Sequence, residues 1–269
     1  MMTGIKPGMS RAEYDKIEAL NISTLIEGRR SMMHLDWKRR NPETNEALEI
    51  GIATHLALYE PAEFEKQVVK MGVTRRGTAA WDKQKHDNPG KLLLKDDAHD
   101  LCVGMRDAIR KHKTASEILN SPGIGEMSAV WKDKPTGLLC KGMIDRFCQW
   151  LAWPLISDVK TCLSAHPDSF ARSVADYGYH VKAAWYLDAL NAIQPAERRF
   201  MWIAVEKQPP YCVAVYEPTD ETLDEGRRVY RALLTKYMEC EKTNAWTGYD
   251  ENPVPLSIPK WAFENRSEA

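Results

Sequence analysis

Asp158 and Lys160, separated by one apolar residue in the run Leu155-Ile156-Ser157-Asp158-Val159-Lys160-Thr161, set opposite charges into a segment otherwise suited to a sheet interior. In a β-strand alternate side chains share a face, so carboxylate and ammonium project together, about 7 Å apart, while Val159 turns into the core. An Asp-x-Lys pair alone is most often the solvated side of an edge strand. Here the apolar flanks mark a largely buried strand, where two charges are costly without a compensating cation or partner. A second apolar run, Leu138-Leu139-Cys140-Lys141-Gly142-Met143-Ile144-Asp145-Arg146, offers Asp145 from an adjacent strand. Two neighbouring buried carboxylates call for a cation. Hard divalent ions take oxygen ligands and keep several waters, so Asp145, Asp158 and the oxygens of a phosphodiester can share one or two magnesium ions. Lys160 then stands where it orients or deprotonates an attacking water, or neutralises charge gained in the transition state.

The elements that position these groups follow from periodicity. From residue 126 the polarity period becomes two: 127–133, 138–148 and 155–161 read as strands, with Lys134-Pro135-Thr136-Gly137 as a turn, and 200–206 and 211–216 as two more. Ser10-Arg11-Ala12-Glu13 resembles a capping box, and Ser23 opens a second helical segment. Helical spacing also runs over 46–59 up to Pro61, over 98–112, within 167–193 and over 219–243. Residues 71–95 collect Arg75, Arg76, Lys83, Lys85, Lys91 and Lys95 with Gly77, Pro89 and Gly90, and read as a basic, mobile loop. This order predicts an α/β fold, a central mixed β-sheet flanked by helices, in one domain over 1–269. Its parts are a helical N-terminal region 1–125, a catalytic sheet core at about 126–216, and a C-terminal helix and tail 217–269.

Four segments carry a family resemblance. Gly51-Ile52-Ala53-Thr54-His55-Leu56-Ala57-Leu58-Tyr59-Glu60-Pro61 matches a Gly-x-Ala-x-His helix ending in Glu-Pro, and Glu126 leads into the strand Met127-Ser128-Ala129-Val130-Trp131. The segment 137–146 bears the first aspartate, and Asp158-Val159-Lys160-Thr161 the Asp-x-Lys-Thr signature. With these the chain resembles the RecE-type exonucleases (exonuclease VIII) of the PD-(D/E)XK nuclease superfamily, from about Met9 to the tail Leu256-Ser257-Ile258-Pro259-Lys260-Trp261-Ala262.

The resemblance implies the restriction-endonuclease-like fold and a Mg²⁺-dependent exodeoxyribonuclease in which Mn²⁺ can substitute. Such an enzyme degrades linear double-stranded DNA from its 5' ends and exposes a 3' single strand for a single-strand annealing protein of the RecT type. By position, His55, Asp145 and Asp158 become metal ligands and Lys160 the catalytic lysine. Without the family a histidine spaced from Ile52 and Tyr59 in this way is more often a core residue. Glu126 either contacts metal-bound water or a second ion, or is an exposed glutamate at a strand start. A closed homo-oligomeric ring, such as a tetramer, is also implied, so that topology rather than affinity retains the DNA. One position departs from the family pattern: Lys182 stands where a Gln precedes Tyr186 by four residues. The two still share a helical face. Lysine can contact a phosphate but lacks the amide's acceptor oxygen, so Tyr186 is a candidate substrate contact and Lys182 is either a phosphate contact or a solvated lysine.

A formal charge of −1 excludes a chain that coats nucleic acid over its whole surface. DNA contacts must be local, at Arg29 and Arg30, at Lys38-Arg39-Arg40, or at Arg75 and Arg76, with Trp81 available to stack on or wedge against a terminal base. The six cysteines form no Cys-x-x-Cys pair and read as reduced core thiols. No apolar run approaches the roughly 20 residues of a membrane span, and the first ten residues lack a signal peptide's apolar core. The expectation is a cytoplasmic, bacterial or phage-encoded protein. Two other readings share these residues: a DNA-binding or assembly module whose chemistry has lapsed, and an endonuclease or single-strand nuclease with the same site.

Overall fold

Every side chain from Phe200 to Val205 is buried, which places that strand in the middle of a sheet covered on both faces. Phe200, Trp202 and Ala204 join one apolar cluster and Met201, Ile203 and Val205 another, as the alternation of a strand requires. The computed structural model describes residues 3–41, 45–72 and 75–259, so Lys260-Trp261-Ala262 of the expected tail lie outside the described residues.

In chain order the strands are β1 (Gly4–Lys6), β2 (Leu20–Asn21), β3 (Val68–Lys70), β4 (Leu92–Leu94), β5 (Gly123–Lys132), β6 (Leu139–Trp150), β7 (Trp153–Cys162), β8 (Arg199–Glu206) and β9 (Val213–Tyr216). The helices are α1 (Arg11–Asp15), α2 (Ile22–Leu25), α3 (Met32–Arg40), α4 (Glu46–Tyr59), α5 (Pro61–Gln67), α6 (Ala79–Asp87), α7 (Asp96–Lys111), α8 (Lys113–Asn120), α9 (Pro167–Asp176), α10 (Tyr179–Ile193) and α11 (Asp220–Thr243). The main sheet runs β1-β5-β6-β7-β8-β9, with β2 added beside β6. The β7–β8 and β2–β6 pairs are parallel, and α9 and α10 supply the β7–β8 crossover. Leu58, Met105 and Ile109 of α4 and α7 cover one face, whereas Val181, Trp185 and Leu190 of α10 and Tyr230 and Leu234 of α11 cover the other. The expected mixed sheet flanked by helices is therefore present.

Strand β6 governs the site. One of its edges pairs with β5 along most of its length. The other is shared, with β2 opposite Cys140 and Lys141 and β7 opposite residues 146–150. Residues 142–145 thus have no strand partner on that side, and Tyr186 of α10 leans in, so close that a Cβ at Gly142 would lie 3.1 Å from its Cε1. Lys141 anchors the N-terminal segment: its buried ammonium donates to the Tyr14 and Ile17 carbonyls, each at 2.9 Å.

Several expectations need correction. The region 1–125 is not purely helical, because β1 and β2 join the main sheet and β3 and β4 form a small parallel sheet of their own. Residues 71–95 hold α6 and β4 instead of a loop. Thr78 caps α6, and Trp81 is its one buried residue, so no apolar period announces the helix. Trp81 lies under the Arg76 guanidinium, 5.1 Å from its ring centre, and is not free to stack on a base. The second helix starts at Ile22, capped by Asn21 rather than Ser23. Helices α5 and α8 add to those expected. Five cysteines are buried free thiols, but Cys212 is exposed. Among the described residues no helix is long and apolar enough to cross a membrane.

The seating of α10, which carries site residues, depends on a backbone approach. A Cβ at Gly226 of α11 would lie 2.4 Å from the His180 carbonyl oxygen. Gly226→Ala should therefore cost about 1–3 kcal/mol through overpacking, read as a lower urea midpoint at unchanged m-value; an unshifted midpoint would show that the helices do not pack this closely.

Candidate active site

Register brings the acids together. Gly125 pairs with Arg146 and Met127 with Ile144, so Glu126 stands opposite Asp145. One step beyond the last β6–β7 pair, Arg146 with Ser157, Asp145 faces Asp158. Three carboxylates thus form a row across three strands, at the place where β6 loses its β7 partner. Glu126 adopts φ +49°, in the left-handed region, a conformation that costs a non-glycine residue about 1–3 kcal/mol and collects at functional sites.

His55 enters from α4. Its Nε2 lies 3.1 Å from the Val159 carbonyl and its Nδ1 3.5 Å from Asp145 Oδ2. A carbonyl only accepts, so Nε2 carries the proton and Nδ1 presents its lone pair to the carboxylates. Burial pushes the imidazole pKa down and the Lys160 charge adds to this, which keeps the ring neutral. One ligand atom from each of His55, Glu126 and Asp145 lies within 4.8 Å of the others.

Asp158 is held differently. Lys160 Nζ donates to its Oδ1 at 2.6 Å and lies 2.5 Å from Oδ2, astride the carboxylate, with hydrogen-bond geometry only to Oδ1. Burial, the Asp158 charge and a hydrogen bond to Asp158 push the Asp145 pKa well up. Burial alone would raise Asp158 too, but the Lys160 charge and the hydrogen bonds from Asp145 and Lys160 hold it low. Asp145 therefore carries a proton and Asp158 the charge. Asp145 Oδ2 and Asp158 Oδ2 are buried without a hydrogen-bond partner, and such orphaned oxygens are rare and costly in a native fold. Two free carboxylate oxygens, a third carboxylate and a neutral imidazole fit a magnesium- or manganese-type divalent ion.

From the opposite face α10 brings Lys182 and Tyr186. Burial and the neighbouring Lys160 charge lower Lys182 to about 8, while Asp158 and Asp145 work against the shift. Lys182 is half-buried with these charged groups as neighbours and is not a freely solvated lysine. Burial and the same aspartates raise the Tyr186 pKa. Tyr59 joins the site from a position expected only to mark the core side of α4. Its hydroxyl is buried without a partner, and its ring meets His55 edge-on at 5.9 Å. Four residues after His55 on one helix, it was within reach of the i, i+4 rule.

The arginines proposed for DNA have other engagements. Arg29 donates to the Ala175 and Asp176 carbonyls at 3.1 and 3.3 Å. Arg76 pairs with Glu49, and Arg39 with Asp36 and Glu241. Arg75 is exposed.

A family model described as "PDDEXK-like domain of unknown function (DUF3799)" matches residues 29–253. Among solved structures, a candidate exonuclease from Eubacterium rectale superposes with a TM-score of 0.65 at 15% identity, covering 97% of this chain and 99% of that one. At that identity the likeness is one of fold. Two others are more distant. SSO0001 has a TM-score of 0.37 at 12% identity, covering 84% of this chain and 78% of its own. The Vibrio cholerae protein VC1899 has 0.24 at 11%, covering 84% and 58%. No curated protein matches the chain.

The raised Asp145 pKa has a stability signature. The folded state binds this proton more tightly than the unfolded chain, so the contribution is present below the ordinary carboxylate pKa of about 3.9 and is lost as pH rises towards the raised value. With metal chelated, Tm should fall as pH climbs from about 4. Asp145→Asn should show a smaller fall, since only the raised Glu126 remains to contribute one, and be more stable by about 1–3 kcal/mol at neutral pH. Parallel pH dependence in the two proteins would refute the protonated Asp145.

Proposed function

The chain belongs to the DUF3799 family of PDDEXK-like domains, and from that membership we propose that it is a metal-dependent exodeoxyribonuclease acting on the ends of linear double-stranded DNA. The observation that carries the proposal is the row Glu126, Asp145 and Asp158, with a neutral His55 on one side and Lys160 paired to Asp158 on the other. His55, Glu126 and Asp145 would hold a Mg²⁺ or Mn²⁺ ion, with Asp158 at its edge. When bound, such an ion polarises the phosphate and lowers the pKa of water.

The chain's own groups do the rest. Burial works against the Lys160 ammonium, but the Asp158 charge and the hydrogen bond to Asp158 keep it charged. It therefore neutralises negative charge on the phosphodiester rather than taking a proton. Lys182 offers a second cation to the same phosphate, and Tyr186 and Tyr59 close the site against bulk water. Removal of nucleotides from an end, 5' to 3' polarity, 3' overhangs for a RecT-type annealing protein, and a ring around the DNA are supported by the resemblance to RecE-type exonucleases. Retention by a ring also suits a chain with a net charge of −1 and no overall attraction for phosphate.

Incubation of linear and closed circular duplex with Mg²⁺ or Mn²⁺ tests this. Nucleotides should be released from the linear form only, and chelation should stop the release. Lys160→Ala should lower kcat by about 10²–10³ with DNA binding and far-UV circular dichroism unchanged. Cutting of the circle would mean an endonuclease, and cleavage of neither form a binding module with lapsed chemistry.

A further inference from the structure

From Lys160 a line of aromatic rings leads out of the site to the surface. The ammonium lies 5.0 Å from the ring centre of Tyr179. Tyr179 is stacked on Tyr177 with centroids 5.6 Å apart and planes inclined by 29°. From inside, buried Phe170 lies 6.3 Å from Tyr179 and fixes it. Tyr177, by contrast, is 63% exposed, with Tyr179 against one side of its ring. Leu163, just past the end of β7 and three residues beyond Lys160, is 85% exposed.

The turn that carries Tyr177 is rigid. It joins α9 to α10 through Gly178 at φ +66°, where a side chain would be strained. Arg29 clamps it by donating to the carbonyls of Ala175 and Asp176, and a Cβ at Gly178 would lie 3.0 Å from Arg29 Nη1. A turn held in this way loses little freedom when something stacks on it. It also gives Arg29 a structural task in place of the direct phosphate contact expected from sequence.

We infer that Tyr177, backed by Tyr179, is a nucleobase-stacking platform that receives a base of the DNA strand next to the phosphate held at Lys160. This rests on the nuclease reading for its ligand. A flat exposed ring one stacking step from a ring that touches the catalytic lysine suits a nucleobase, because every base has a π-face, whatever the sequence. Tyr177 is a positioning residue: it sets where the strand lies and takes no part in bond making.

The full chain would be mixed, in chelator, with duplexes carrying 2-aminopurine at the terminal positions, and separately assayed with Mg²⁺ or Mn²⁺ for nucleotide release. The wild type should quench the fluorophore. Tyr177→Ala should lose the quenching and raise Kd and KM roughly 5- to 100-fold at unchanged kcat, and Tyr177→Phe should behave as wild type. An abasic nucleotide at the quenched position should raise the wild-type KM but leave that of Tyr177→Ala unchanged. Equal quenching and KM in wild type and Tyr177→Ala would overturn the platform, as would a loss in Tyr177→Phe as large as in the alanine variant. Quenching without nucleotide release would overturn the nuclease reading and leave the platform standing. Release with an unaffected Tyr177→Ala would do the reverse, and absence of both would remove both.

Discussion

Negative charge gathered in a small, largely dry volume is the constraint to which this fold responds. Glu126, Asp145 and Asp158 sit at matching register on adjacent strands. Two like charges 4 Å apart repel by about 4 kcal/mol even at an effective dielectric of 20, so three ionised acids would oppose folding strongly. Every neighbour reduces that repulsion in its own way. Asp145 keeps a proton, Lys160 straddles Asp158, and burial and the Glu60 charge keep the Glu126 pKa raised. His55 remains neutral, so it contributes a lone pair and no charge. A divalent cation removes the same repulsion more completely, which is why the proton on Asp145 and a metal compete for one place.

The space for that competition comes from β6. A sheet with continuous pairing would leave no room between Asp145 and Asp158, because neighbouring strands are about 4.8 Å apart and their edges are occupied by hydrogen bonds. Here β2 takes the start of the β6 edge and β7 only its end. The interval at residues 142–145 leaves backbone and side chains reachable from both faces. On one face α4 sends His55 to the Val159 carbonyl, a group of a strand that has parted from β6. On the other, Trp185 of α10 donates to the Lys141 carbonyl at 3.2 Å, and Tyr186 fills the space that glycine leaves at 142. The two halves of the site therefore approach from opposite layers and meet only where the sheet opens.

What could be read in the sequence follows this division. Asp158 and Lys160 are two residues apart, and period-two alternation within one strand is local information, as is the 3.6-residue spacing of α4, α7 and α11. Glu126 and Asp145 are joined by register alone. Their juxtaposition depends on where the Lys134-to-Gly137 turn starts the return strand, and a one-residue slip would have turned Asp145 away. Residues 71–95 misled because a helix with a single buried residue has no apolar stripe. The basic pairs misled because an arginine's partner is a tertiary fact: carbonyls 146 and 147 residues away for Arg29, and a carboxylate on α4 for Arg76. The short strands β1 and β2 have too few residues to show any period.

Lys182 shows how far the charge balance reaches. A glutamine at this point of α10 would have an acceptor and two donors and a fixed charge of zero. The lysine has a charge that its surroundings set: burial and Lys160 disfavour the ammonium, and Asp158 favours it, with the balance at about 8. A divalent cation held beside Asp158 would remove that support and add a like charge nearby. The anion of a phosphodiester restores what was removed. Lys160, by contrast, has a direct hydrogen bond to hold its proton. A glutamine at 182 would keep a charge of zero whatever surrounded it, whereas the charge of a lysine there depends on the groups that face it.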